Sequence, residues 1–457
     1  MSDNSNRTES RPSLGRYKFV WLLLFPLVVL LAVAAYLIIS EWSAAKTNRT
    51  QFEQWAATGI PYDSATLQKS YDERTHPEGT PDWIEITRLV YWGAEVEAFK
   101  QLPYLGNEGQ EPANLVPGGK PIDWPGEPLV ASYLEEMQPV IDLIEQASEH
   151  PTPARFPVNF HGIDTLLPHV QNSRKILWLL SLDCDFAYFN QDNKRALRDL
   201  SLMKATAEAY DGRECLVSGL VNVALRSMRM GAMRRTLSYC EWTEAELQIL
   251  RDSLTSPEEV SDRWQDLMLH ERAFGLSFVG ESPEKLAQSI GLKKPFKLFT
   301  RHSEVKNTIE GYQRMVDLPI GADVKQWRKQ AAALEDWATR TLSSNSLAGM
   351  LLPAVGSCFE AEIRNEEERR WTLTAVAIQQ FKQQNEKWPT RLAELESVGL
   401  KFDDYSDTEQ NVFGYEIEGD KVFLWKQDGY DSAQISKTRP LPSEKHIDVS
   451  YFIVELN

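Results

Sequence analysis

His270 and Glu271, in Leu269-His270-Glu271-Arg272-Ala273-Phe274, begin the pattern that a zinc metalloprotease carries on a helix. That chemistry needs a second histidine four residues on, on the same helical face, to complete the metal pair. Position 274 is Phe, so the pattern stops, and His270 reads as a surface or partly buried histidine on a packed helix. Asp183 and Asp185 flank Cys184. Two residues apart on a helix they point away from each other, which suits solvation or pairing with arginine better than shared acid-base work. His161 and His169 would converge only through the tertiary fold. The chain contains no GxSxG elbow, no P-loop and no GxGxxG fingerprint. No catalytic residue is assigned, and neither a metal nor a cofactor is expected.

Arg226, Arg229, Arg234 and Arg235 form a basic patch in an acidic chain. They receive either Asp or Glu from a neighbouring helix or an anionic partner. The chain has 49 Lys plus Arg and 66 Asp plus Glu. Residues 1–18 hold four basic and two acidic residues and 19–40 hold none, so the remainder carries 45 against 64, a net −19. A field of that sign argues against binding nucleic acid or an anionic membrane surface through overall charge. Trp124 in its Pro-Gly loop, and Trp83, Tyr91 and Trp92, are either core residues or rings that stack on sugar or peptide. The four cysteines, Cys184, Cys215, Cys240 and Cys358, make no CxxC and no zinc-like spacing. An exported compartment would permit disulfides, while small buried thiols are the simpler reading. Cys215 and Cys240 flank one expected helix, which would hold them ~37 Å apart by helical rise, far beyond bridging distance.

The elements that must position these groups are mostly helices. Thr80-Pro81 reads as an N-cap and first-turn proline, opening a helix with Trp83, Ile86, Val90 and Ala94 at helical spacing. Before it, 41–80 continue an N-terminal helix for a few turns and break up at Gly59-Ile60-Pro61 and Thr75-His76-Pro77. Residues 103–128 hold six prolines and five glycines and read as a long irregular loop, functional or flexible. Helices are expected over the segment holding Leu143 and Ile144, then 166–190, 192–210 and 214–239. Thr243-Glu244-Ala245-Glu246 and Ser256-Pro257-Glu258-Glu259 are capping boxes that open two more. Ser282-Pro283 starts a shorter one, and 297–316 and 322–343 complete the set, with no strand-like alternation. Thr341 to Phe359, uncharged but broken by Gly349, Pro353 and Gly356, reads as a loop and a buried helical piece. A long helix follows from Cys358 to Glu386 and stops at Trp388-Pro389, before a short helix with Leu392 and Leu395. The period then changes from helical to alternating. Val412–Ile417 and Val422–Trp425 flank Glu418-Gly419-Asp420 as a β-hairpin, and Val449–Val454 would add a third strand.

Phe19 to Ser40 is 22 residues without a charge. As a helix this matches roughly 30 Å of hydrocarbon. Trp21 and Trp42 sit near its ends, where such rings prefer the headgroup level. Arg7, Arg11, Arg16 and Lys18 precede it, against only Lys46 and Arg49 after it. This bias puts the N-terminus in the cytoplasm and residues 41–457 on the exported side. The rival is a signal peptide cleaved near Ala32-Val33-Ala34 or Ser43-Ala44-Ala45, though its apolar region would usually be about 7–15 residues. A buried core helix is the third reading. The fold class expected is therefore mainly α. A cytoplasmic tail (1–18) and a transmembrane helix (19–40) lead to a multi-helix exported domain (41–350) and a small α+β tail (358–457).

That tail carries Ala377-Ile378-Gln379-Gln380-Phe381-Lys382 on its long helix, then Trp388-Pro389-Thr390 and Leu392-Ala393-Glu394-Leu395. Gly414-Tyr415, the hairpin and Asp428-Gly429-Tyr430-Asp431 follow. In this order it resembles the globular end of the major pseudopilin of type II secretion. Over most of its length the chain resembles uncharacterised membrane-anchored helical proteins of bacteria. The pseudopilin resemblance implies secretion-related assembly and calcium in the loop near the end of the sheet. Two departures oppose both: Gly15-Arg16-Tyr17 is followed by no glutamate inside the apolar run, and the loop offers only Asp428 and Asp431, short of the oxygens calcium takes. Leu182, Ala187, the Asn190-Gln191-Asp192 turn, Ala196 and Leu200 resemble a single tetratricopeptide-type hairpin, which is not an array; generic helix packing gives the same order.

The expectation is a membrane-anchored exported protein that binds or organises within the cell envelope, with a protein partner there and no nucleic acid. An envelope-polymer hydrolase with a cleft near 103–128 is the alternative, and a secretion-related pseudopilin-like component the third. Oligomeric state leaves no mark in the sequence.

Overall fold

A computed structural model describes residues 14–90, 96–105, 124, 126–161, 165–255, 260–279, 301–317, 324–341, 347–425 and 453–456. The chain is mainly helical, with a small antiparallel sheet near its C-terminus. The first helix, α1 (Leu14–Thr58), passes through Pro26 and the whole uncharged run without interruption. From Leu27 onward it is long and apolar enough to cross a membrane, and only 6% of its most apolar window is buried. Leu30 and Ile38 are 66% and 69% exposed, an arrangement unfavourable in water and neutral in hydrocarbon.

Past Ser40 the same helix turns polar and packs onto the body. The Glu41 carboxylate accepts the backbone N–H groups of His302 (2.9 Å) and Ser303 (3.3 Å), and the Ser303 hydroxyl as well. It thus satisfies free donors in the first turn of the helix Arg301–Val316. Asn48 Nδ2 donates to the His302 carbonyl at 2.9 Å. Buried Trp55 carries the Arg272 guanidinium 3.7 Å from its ring centroid, a cation–π contact. α1 ends at Gly59, whose φ of +73° suits glycine.

The body follows as α2 (Ser64–Arg74), α3 (Thr80–Leu89), α4 (Glu127–Ser148), α5 (Pro168–Phe189), α6 (Asn193–Tyr210), α7 (Leu216–Tyr239), α8 (Glu244–Leu254), α9 (Val260–Val279), α10 (Arg301–Val316), α11 (Val324–Thr341) and α12 (Leu347–Asn385). α2 lies where the sequence suggested only broken chain. It is built by an Asp63/Thr66 capping box and buries just Leu67 and Tyr71. The N-cap of α3 is Gly79 and not Thr80, because the Thr80 hydroxyl is drawn to the Arg155 carbonyl at 2.9 Å. Its Ala94 lies outside the described residues, as do the Ser256 box and the Ser282-Pro283 helix start. The Thr243/Glu246 box forms as expected. α5 and α6 make the expected hairpin, with Gln191 at φ +59° and the Asp192 carboxylate accepting the Arg195 N–H at 3.1 Å.

α12 corrects the reading of 341–359 as a loop and a buried piece. The helix begins at Leu347 and takes in Gly349, Pro353 and Gly356. Gly356 permits a close approach there, since a Cβ would fall 2.0 Å from Glu335 Oε1 of α11. One proline removes a single backbone hydrogen bond, and tertiary packing along a long helix outweighs that loss.

α12 stops at Asn385, and two 3-10 turns (Leu392–Val398 and Phe402–Tyr405) lead into the sheet. β1 (Gly414–Glu418) and β2 (Lys421–Trp425) pair antiparallel around Gly419-Asp420. β3 (Ile453–Leu456) pairs antiparallel with β2, from Val422↔Leu456 to Trp425↔Ile453. The third strand thus exists near its expected place; 449–452 lie outside the described residues. Trp388 Nε1 donates to the Asp420 carbonyl at the hairpin turn (2.9 Å), and Tyr415 OH donates to the Pro389 carbonyl (2.6 Å). One hydrophobic core runs from Tyr71 and Ile144 through Leu180 and Met233 to Trp371, Leu424 and Leu456. The sheet and the helical body therefore share a core, with both α7 and α12 packed against β3.

Candidate functional site

α7 presents Asn222, Arg226, Arg229 and Met230 at i, i+4, i+7 and i+8, one face of a helix. That face opens on a cavity of about 390 Å³. α6 closes it with Lys204, Ala207 and Glu208, the end of α8 with Ser253 and Leu254, α9 with Arg263, and α12 with Asn365, Glu366 and Arg369. Asp211 and Arg213 lie at its edge on the chain joining α6 to α7.

The arginines share their acids. Arg226 Nη2 donates to both oxygens of Glu362 at 2.8 and 2.9 Å, and Arg263 takes the same carboxylate at 3.1 Å. Burial alone would raise Glu362, but the two guanidiniums outweigh it and hold its carboxyl below the usual range. Glu366 is treated alike: burial raises it, and Arg369 and Arg370, at 2.7 and 2.9 Å, bring it below the usual range. Asp211 serves both Arg74 and Arg213, and Arg213 reaches Asp266 at 3.3 Å. Lys204 pairs with Glu208 at 3.3 Å.

Arg229 differs. It is 8% exposed, and it forms no ion pair with a carboxylate among the described residues. Its Nε donates to the Leu200 carbonyl at 3.0 Å, its Nη1 to the Ser253 carbonyl at 3.3 Å, and its Nη2 to the Ser253 hydroxyl. Burial pushes this guanidinium down to about 10, opposed only in part by Glu208. Among the described residues, the lining side chains and their ion partners include more cations (Arg74, Lys204, Arg213, Arg226, Arg229, Arg263, Arg369, Arg370) than carboxylates (Glu208, Asp211, Asp266, Glu362, Glu366).

The other half of the arginine patch is spent on the fold. Arg235 pairs with Asp185 at 2.9 Å. Arg234 donates to Thr372 Oγ1 at 3.0 Å and lies 4.6 Å over the Trp371 ring. Asp183 and Asp185 are fully buried and not solvated. Asp183 takes Arg195 and Arg198, and Asp185 takes Arg235 and the Tyr104 hydroxyl at 2.7 Å. The arginine pairing expected for them is correct.

His270 is neither on the surface nor half exposed. Its Nδ1 meets the Arg213 carbonyl at 2.7 Å and its Nε2 the Ser70 hydroxyl at 3.0 Å. Burial, with Arg74 nearby, lowers it to about 4. Glu271 accepts the Leu216 N–H (2.7 Å) and the Tyr312 hydroxyl (3.2 Å), and burial lifts it to about 7. Phe274 packs against the core. His169 is buried against Glu214 at 3.7 Å and stacked on Phe156, whereas His161 is exposed. Among the described residues no three of His, Cys, Asp and Glu converge as metal ligands.

Trp83 and Trp124 are core rings, set edge-on to Tyr210 and Phe189; Tyr91 and Trp92 lie outside the described residues. All four cysteines are free thiols, and Cys215 and Cys240 cap the two ends of α7. Of the expected cleft near 103–128, residues 106–123 lie outside the described residues. A larger hollow of about 740 Å³ lies beside α1, lined by Asn48, Phe52, Tyr62 and His302. Its walls belong to the joint between α1 and the body, and they gather no comparable set of like charges.

Sequence reasoning singled out Arg226 and Arg229 and missed Arg263, Glu362, Asn365 and Arg369. The signal was present on α12, where Glu362, Asn365 and Arg369 repeat at helical spacing along a helix that otherwise buries apolar residues. Fold and site together define a mainly helical protein with one N-terminal helix able to cross a membrane and a cationic cavity in its body. No protein-family model matches the chain, and no curated protein or solved structure is significantly similar to it.

Proposed function

We propose that this chain is a membrane-anchored binding protein of the cell envelope, with the arginine-lined cavity as its recognition site. The N-terminal tail is cytoplasmic, residues 19–40 stay in the bilayer, and the body and tail are exported. The observation that carries this reading is the exposed apolar length of α1 running unbroken into the packed body. The excess of basic residues before the span supports the orientation. Retention of the anchor is supported by Glu41: cleavage after Ala45 would strip α10 of the carboxylate that caps it. Binding is favoured over hydrolysis because His270, Asp183 and Asp185 are committed to hydrogen bonds and ion pairs within the fold and do not line the cavity. The C-terminal tail acts as a cap on the body and not as an assembly module, a role supported by the core it shares with α7 and α8.

One reporter fusion and an N-terminal determination test this. A periplasm-dependent phosphatase fused after Asn457 is expected to be active, and the protein extracted from membranes is expected to retain its original N-terminus. An inactive phosphatase, or a new N-terminus between Ala34 and Thr50, would overturn the reading.

A further inference from the structure

We infer that the cavity between α6, α7, α8, α9 and α12 binds a small organic oxyanion, a molecule carrying a carboxylate or phosphate group on a short apolar body. The inference rests on the cavity being the recognition site proposed above, and not on the orientation of the anchor.

Charge is the first argument. An ion-pair network that served only the fold would tend to balance, because each buried charge left without a counter-ion is unfavourable. Here Glu362 and Glu366 are each divided between two guanidiniums, and Asp211 between Arg74 and Arg213. Among the described residues this leaves more cations than carboxylates around the cavity, in a chain of net charge −17. Arg229 points the same way. Its three hydrogen-bond acceptors are neutral, so its charge is buried with no carboxylate in contact among the described residues. Guanidinium N–H groups on both Nη atoms remain for a further acceptor, in a planar fork that fits carboxylate and phosphate oxygens. An oxyanion entering here would supply the missing negative charge.

The second argument is shape and lining. A volume of about 390 Å³ lies within the range of small-molecule sites, on the order of 300–1,000 Å³. Ala207, Met230 and Leu254 add apolar lining beside the arginines. Asn222 and Asn365 are held rigidly: Asn222 donates to the Ala207 carbonyl at 2.7 Å and Asn365 to the Val223 carbonyl at 3.2 Å. They fix the backbone of α6 and α7 around the opening, so the site is formed before a ligand arrives.

The test is calorimetric titration of the full chain in detergent, at constant ionic strength, with citrate and separately with inorganic phosphate. Saturable one-to-one binding of either is expected; the tighter of the two tells carboxylate from phosphoryl recognition. Arg229→Gln is expected to weaken binding about tenfold or more, as loss of one charge-assisted contact does. Lys204→Gln, at the half-exposed rim, tests the field without disturbing the buried floor and is expected to weaken binding about threefold, in line with a rim charge. Arg49→Gln, on the exposed face of α1, is expected to bind as the unmodified protein does. Absence of saturable binding by both anions, or equal affinity in all three variants, would overturn the inference. The titration reads only the cavity and the fusion assay only the anchor, so failure of one is distinguishable from failure of the other.

Discussion

Arg226 on α7 places one terminal nitrogen on both oxygens of Glu362 on α12, at 2.8 and 2.9 Å, across 136 residues of chain. Arg263 on α9 holds the same carboxylate at 3.1 Å. One acid thereby ties three helices.

Glu362→Gln removes the charge that both guanidiniums share. It is expected to destabilise the fold by about 3 kcal/mol at neutral pH, the lower end for breaking a buried pair. The folded carboxyl sits below its ordinary value. Its contribution is therefore complete above the unfolded carboxylate range and lost as pH falls through the folded value. Melting of the two proteins from pH 7 to pH 3 should show the gap closing in acid. A gap that stays constant would show that ionisation of Glu362 does not stabilise the fold.

Glu271 shifts the other way. Burial lifts it to about 7, so the folded protein retains a proton that the unfolded chain gives up near pH 4.5. The stability this provides is complete below the unfolded value and lost as pH rises through about 7. Glu271→Gln, which cannot titrate, should therefore gain on the unmodified protein between pH 5 and pH 8 in thermal melts. His270, lowered to about 4, has the opposite slope below its unfolded value: its neutral folded form loses stability as pH falls. His270→Gln should flatten the acid limb while leaving the Glu271 slope in place.

Trp388 and Pro389 tie the end of α12 to the hairpin through the Asp420 carbonyl and the Tyr415 hydroxyl. Changing Trp388-Pro389 to Ala-Ala should raise amide hydrogen exchange across 411–426 and leave α5 to α7 protected. Unchanged exchange in the hairpin would show that the shared core alone holds it.

The tail is expected to show no calcium dependence of melting and no filaments. Asp428 and Asp431 are the two acids of Asp428-Gly429-Tyr430-Asp431, and they lie outside the described residues. A rise in melting temperature with millimolar calcium, abolished by Asp428→Ala, would instead favour secretion-type assembly.

Local signals in the sequence proved sufficient for most elements. The Thr243/Glu246 box, the Gly419-Asp420 turn and the cysteines bounding α7 each act within a few residues. α2 escaped notice because two buried residues, Leu67 and Tyr71, make too short a stripe to stand out. The start of α12 escaped because Gly349 and Pro353 speak locally against a helix that tertiary packing sustains. The cavity was legible only as two of its arginines. Glu362 lies 136 residues from Arg226 and 99 from Arg263, and pairings at that separation leave no periodic trace.

The carboxylate of Glu41 has a further consequence. It stands one residue beyond the uncharged run and is already bonded to α10. With that run in a bilayer, as proposed above, no hinge would separate bilayer from body, and the body would swivel about the anchor axis without tumbling. Its cavity would keep a set height and tilt above the lipid, and the search for a partner would become two-dimensional. A ligand arriving along the membrane surface would meet a receptor whose orientational entropy has already been surrendered, while one held in a distant layer of the envelope would lie beyond its reach.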